Sequence, residues 1–168
     1  GEVSMQGRSA SAGRTVKGKY TRKECFYVSW LEEEERTDSE GDTYWATIDR
    51  GKAHVPFFRL QDKTGYVLVS LDRITPKIKK DYSRYRGNRR YSEWRIDEGQ
   101  NVFAFAMAKQ VSKGYSLTFT ESGSYIPILS EYSALVARQD RGTSGVFMTL
   151  GSTLCFTFGI LSICFLMK

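Results

Sequence analysis

The chain has 168 residues, with 25 Lys and Arg against 19 Asp and Glu, for a formal net charge of +6. That length suits one domain, and 40% hydrophobic with 26% charged residues excludes disorder as the general state of the chain. Three cysteines and one histidine exclude a disulfide framework, and before residue 145 Cys25 stands alone, so no Cys/His zinc cluster can be built there.

Residues 1–18 are small, Gly- and Ser-rich and weakly basic, and predict one short edge strand and a loop; they hold no apolar run of the kind a signal peptide needs. Cys25 to Arg36 begins with aromatic and β-branched residues in near alternation, which predicts a strand. It ends in the block Glu32 to Glu35, which predicts that the strand leaves the sheet into solvent. Thr37 to Asp42 reads as a turn and Tyr44 to Gly51 as the answering strand of a hairpin. Next come Phe58 and Leu60 on one side of a strand, a turn at Asp62 to Gly65, and a β-branched strand from Tyr66 to Leu71.

From Arg73 to Arg95 the chain turns basic and aromatic with no sustained apolar period, and it reads as a loop or a short irregular helix. Ile96 to Gln110 restores a strand after a turn at Asp97 to Gln100, Gly114 to Thr120 should pair with it, and a short helix is expected at Glu131 to Arg138. The fold class is therefore mainly β. We expect a small barrel-like or sandwich-like antiparallel domain of about seven strands over residues 1–133, with an OB-like barrel among the options. A connector at 134–144 leads to 145–167, a run of 23 residues without a charge. At about 1.5 Å per residue, a helix of this length crosses a hydrocarbon core of about 30 Å, so it reads as a membrane span. A buried core helix is the competing reading.

The residues offer no catalytic constellation, phosphate-cradling glycine loop, metal site or cofactor site. Consecutive Glu32 to Glu35 alternate faces in a strand and cannot all serve one site; they suit a solvated strand end or a patch that docks a basic partner. Asp62 should cap its own turn, with Asp97 and Glu98 doing the same at the next one. Cys25 reads as a buried structural thiol and His54 as a solvated or core-edge imidazole.

The binding candidates are Lys77, Lys79, Lys80, Arg84, Arg86, Arg89, Arg90, Trp94 and Arg95, with Tyr82, Tyr85 and Tyr91 between them. Beside a membrane span such a mixture suits anionic headgroups. A nucleic-acid reading, with phosphates tracked and bases stacked, is the less favoured alternative. A solvated basic loop is the plain one.

Several segments, in order, resemble the GIDE or BAM (beside-a-membrane) domain family of membrane-anchored ubiquitin ligases and their prokaryotic relatives. KYTRKECFYVSWLEEEER (Lys19 to Arg36) and PFFRLQDKTGYVLV (Pro56 to Val69) are the most specific pieces. RYSEWRIDEGQNVFAFAMAK (Arg90 to Lys109) and SYIPILSEYS (Ser124 to Ser133) follow. The resemblance assigns Cys25, Tyr27, Pro56, Phe57, Asp62, Gly65, Glu93 and Gly99 to the family's structural pattern.

The resemblance further implies a membrane helix on each side of the domain and, in the ligase branch, a zinc-binding RING after the second. Only Cys155 and Cys164 follow Ser130, so no RING can be made from this chain. If no helix precedes the domain, the span is a tail anchor and the domain faces the cytosol; an upstream helix would put it on the far side. The expected function is a non-catalytic, membrane-anchored binding or sensing module with a protein or small-ligand partner. The alternatives are the sensor part of a ubiquitin ligase, and a membrane-perturbing defence effector that oligomerises through Gly145, Gly151 and Gly159.

Overall fold

The period-two alternation of side chains along extended segments decides most of the architecture. The computed structural model describes residues 1–112, 114–119 and 128–131. Among them are twelve strands: β1 (Glu2–Ala10), β2 (Val16–Lys17), β3 (Glu24–Cys25), β4 (Tyr27–Thr37), β5 (Thr43–His54), β6 (Phe57–Gln61), β7 (Tyr66–Ser70), β8 (Lys80–Arg86), β9 (Arg89–Ile96), β10 (Asn101–Val111), β11 (Gly114–Thr118) and β12 (Ile128–Ser130). The expected short helix beyond Glu131, the connector at 134–144 and the span at 145–167 lie outside the described residues. Among those described, no helix is long and apolar enough to cross a membrane.

Five strands close a barrel in the order β1, β6, β7, β11, β10, with β10 pairing back onto β1. All five pairings are antiparallel except β7 with β11. Phe58 and Leu60 of β6, Val69 of β7, Val102, Ala104 and Ala106 of β10 and Leu117 of β11 fill the interior. Phe57, Arg59 and Gln61, the alternate residues of β6, are exposed. Each fully buried large side chain contributes about 1.5–3 kcal/mol, and closure leaves these strands without a free edge.

Residues 1–18 do not form a short edge strand. β1 runs for nine residues and is paired on both sides, with β10 from Glu2 to Arg8 and with β6 from Arg8 to Ala10. Of its inward positions Val3, Met5, Gly7 and Ser9, the last two are small, at the end where β1 passes to β6. A Cβ on Gly7 would collide with the backbone carbonyl of Gln61, close to where β1 passes from β10 to β6.

A second sheet, ordered β5, β4, β9, β8, comes from two hairpins inserted in the barrel sequence. The β4–β5 hairpin lies between the first two barrel strands and β8–β9 between the third and fourth. The first is the hairpin read from the sequence, and Asp38 Oδ1 orders its tip by accepting from the Glu40 and Asp42 amides, both at 2.9 Å. β4 does not leave the sheet at Glu32; it stays paired with β5 to Thr37, because Arg89 and Arg90 of β9 meet its carboxylates.

The basic segment 73–95 is likewise no loop or helix over its second half. Lys80 to Ile96 folds as a hairpin about Gly87 and Asn88, with Gly87 at φ 63°. Such a first central residue is what a tight hairpin turn with glycine requires. Where the hairpins meet the barrel, Phe26, Tyr27, Val55 and Ile96 join its core, and the Phe26 ring stacks on Phe58 with centroids 5.7 Å apart.

Candidate functional site

Residues directly paired across strands share a face, so the register sorts the basic run onto two faces of the second sheet. Arg84, Arg86 and Arg89 lie on one face with Tyr82 and Tyr91, above which Tyr20 packs with ring centroids 6.4 and 5.3 Å away. Lys80, Arg90 and Trp94 lie on the other. Lys77 and Lys79 precede the hairpin and are tied by their backbone to the end of the barrel: the Lys77 amide donates to Leu129 O at 2.8 Å and the Lys79 amide to Glu131 Oε2 at 3.0 Å.

Several candidates are committed within the fold. Arg89 donates to Glu32 at 2.9 Å and to Glu34 at 3.4 Å, and Arg90 to Glu33 at 2.8 Å. Three of the four consecutive glutamates therefore dock basic partners supplied by their own sheet, and Glu35 is left exposed. Arg95 is buried, bound to Glu93 at 2.8 Å and to Asp97 at 2.9 Å. Asp97 thus serves Arg95; its turn is closed instead by Gln100 Oε1, which accepts from the Asp97 amide at 2.8 Å.

Glu93 is itself fully buried and accepts from Thr21 Oγ1 at 2.5 Å and the Tyr20 amide at 2.8 Å. Burial pushes its carboxyl up, but the bonds from Thr21, Arg95 and the Tyr20 and Thr21 amides together outweigh that and hold it below the usual range.

The second face of this sheet carries a group of cations outside its ion pairs. One rung reads Lys80, Trp94, Ser29, Lys52 and the next Ser83, Ser92, Leu31, Arg50. Arg50, Lys52 and Lys80 are exposed, and none has a carboxylate partner among the described residues. The Lys80 ammonium sits 5.3 Å from the Trp94 ring centre, and farther out Arg90 lies 4.4 Å over Trp45, which meets Tyr85 edge-on. Glu32, Glu34 and Asp49 point to the opposite face, where Asp49 pairs with Lys19 and accepts from Trp30 Nε1 at 3.1 Å, whereas Glu33, taken up by Arg90, and Glu35, opposite Trp45, share the far end of the cationic face.

Sequence reading missed Arg50 and Lys52, which lie far from the basic segment along the chain. Arg50 fell inside the predicted strand and Lys52 one residue past its predicted end, so their spacing of two became a shared face only once β5 proved to run to His54.

The family-pattern positions spread through the fold. Cys25 is buried, with its Sγ 3.6 Å from Val16 O, and burial pushes its thiol up to about 12. Tyr27 is buried in the core, and His54 stacks beside it at the core edge. Asp62 Oδ1 accepts from the Thr64 amide at 2.7 Å and the Gly65 amide at 3.1 Å, the cap read from the sequence. The Gly99 amide donates to Ser9 O at 2.7 Å. Pro56 and Phe57 lie on the outer surface at the start of β6. No protein-family model, curated protein or solved structure matches the chain.

Proposed function

We propose that the chain is a membrane-anchored, non-catalytic binding module of the GIDE/BAM type, whose second sheet rests its cationic face on anionic lipid headgroups. The observation that carries this reading is the convergence of Arg50, Lys52 and Lys80 around Trp94 on one face. Each exposed cation near an anionic bilayer is worth about 1 kcal/mol, and indole rings settle at headgroup depth. The uncharged run at 145–167 supports the reading, since an anchor holds a weakly attracted surface at the bilayer. The closed five-stranded barrel, ordered first, second, third, fifth, fourth, supports an OB-like reading, and barrels of that kind host many kinds of ligand and leave the chemistry to their surfaces.

The test is tryptophan emission of the full chain in vesicles that carry brominated lipid at headgroup-proximal carbons. Quenching should rise with the fraction of anionic lipid and fall in the triple variant Arg50→Gln, Lys52→Gln, Lys80→Gln. Quenching that ignores both lipid charge and the three substitutions removes the role of this face.

A further inference from the structure

The outer face of the barrel across β1, β6 and β7 is used by neither the core nor the lipid-facing sheet, and we infer that it binds single-stranded nucleic acid. Phe57 and Tyr66 are large aromatic residues left 42% and 59% exposed on adjacent strands whose alternate residues, Phe58, Leu60 and Val69, are fully buried. Exposed rings on a barrel whose inward positions are well filled are not surplus core. They are flat surfaces on which bases stack irrespective of sequence.

The cations are placed to follow a backbone past those rings. The Arg59 guanidinium lies 4.8 Å over the Tyr66 ring. Arg8 pairs with Gln61, which pairs in turn with Tyr66, so Arg8 is on the same rung as the ring. At one end of the face Arg8 and Lys63 line a hollow of about 500 Å³; at the other Arg14 and Phe57 line one of about 340 Å³ floored by Leu68. None of Arg8, Arg14, Arg59 and Lys63 has a carboxylate partner among the described residues.

Two carboxylates, Asp62 and Glu98, border the first hollow, and Asp62 is already engaged by Thr64 and Gly65. Asp62 keeps its charge while bonded to these neutral donors, so four cations face two carboxylates, and that excess of positive charge favours a polyanion. The two rings favour one with bases over an acidic peptide, and the charge disfavours a neutral sugar.

Phe57 and Tyr66 stand four register positions and one strand apart, about 14 Å at strand spacings, so the ligand must be extended and unpaired to reach both. A duplex offers phosphates to the cations but no free base faces to the rings.

The experiment is fluorescence anisotropy of the full chain in detergent micelles with labelled oligothymidylate and oligouridylate of about 12 nucleotides and a duplex of equal charge. Single strands should bind tighter than the duplex, and the better of the two identifies DNA or RNA as the source. Phe57→Ala and Tyr66→Ala should each weaken binding by about 5- to 150-fold, the range of base stacking on an aromatic ring. Lys109→Gln, a charge change elsewhere on the barrel, should leave binding unchanged.

Phe57→Trp should retain binding, with its emission quenched by the oligonucleotide, and this reads the face directly even if an alanine variant folds poorly. Absent binding, equal binding of the duplex, indifference to both ring substitutions together with an unquenched Phe57→Trp, or equal displacement by polyglutamate at matched charge would each overturn the inference. Displacement by polyglutamate would assign the face to an acidic peptide.

Discussion

Arg95 and Glu93 form an ion pair at 2.8 Å with 4% and 0% of their side chains exposed. The pair sits where β9 enters the barrel junction, and Thr21 Oγ1 bridges it by accepting from Arg95 Nη1 at 3.1 Å and donating to Glu93 at 2.5 Å. It thereby ties the loop after β2 to the hairpin that carries the basic residues. Removing one partner of a buried pair typically costs about 3–5 kcal/mol, since the other charge stays buried. Arg95 retains Asp97, so Glu93→Ala should cost about 3 kcal/mol, at the lower end. The glutamine variant, which keeps an acceptor for Thr21, should cost less. Thermal unfolding of the full chain in detergent, followed by near-ultraviolet circular dichroism, measures both; an alanine variant as stable as the parent shows that the pair contributes nothing.

The same carboxylate sets an acid limit. Its pKa is lower in the fold than in the unfolded chain, so it contributes stability that is present above the unfolded value of about 4.3 and lost as pH falls through the folded value. The melting temperature of the parent should therefore drop below about pH 4.3, and drop less steeply in Glu93→Gln. Parallel profiles for the two proteins assign the acid loss to other carboxylates.

Cys25 should be chemically silent in the native protein. It is 1% exposed and its thiol is pushed up to about 12, so almost no thiolate exists at neutral pH and no reagent reaches it. Iodoacetamide followed by peptide mapping, which separates Cys25 from Cys155 and Cys164, should find the Cys25 peptide unmodified until the protein is denatured. Native labelling at Cys25 means that β2 and β3 open readily, since β3 carries the thiol and β2 the carbonyl it faces.

Legibility of this fold in the sequence followed the contrast between the two faces of each strand. Phe58 and Leu60 alternate with the exposed Phe57, Arg59 and Gln61 ahead of an Asp-Lys-Thr-Gly turn and a β-branched run, and that hairpin was readable from the sequence. β8 has no such contrast: both of its faces carry polar and aromatic side chains, so the period was present without an apolar signal, and only Gly87-Asn88 marked the turn. β1 hid for the opposite reason, because Gly7 and Ser9 are small where a core strand is expected to be large. The basic residues were recognised as a group, but proximity in sequence placed them on one surface, whereas the register sends Arg84 and Lys80 to opposite faces and brings in Arg50 and Lys52 from β5. Ion pairing removed Arg89, Arg90 and Arg95, which no composition argument reveals.

Gly7 links the stability of the barrel to its outer face. A Cβ there would strike the Gln61 carbonyl, a backbone atom that cannot swing aside, so Gly7→Ala must push β1 away from β6. The adjacent pair, Arg8 with Gln61, opens the rung that ends in Tyr66, so the same displacement moves Arg8 relative to the ring. Overpacking of this kind costs about 1–3 kcal/mol. Ser4→Ala, on the exposed side of the same strand, should cost within about 0.5 kcal/mol. Thermal unfolding of the two variants side by side checks the first expectation, and the oligonucleotide affinity of whichever Gly7→Ala protein remains folded checks the second. If Gly7→Ala melts with Ser4→Ala, β1 and β6 tolerate a wider separation. If it melts early yet binds oligonucleotide as the parent does, the spacing of these strands matters to the core alone.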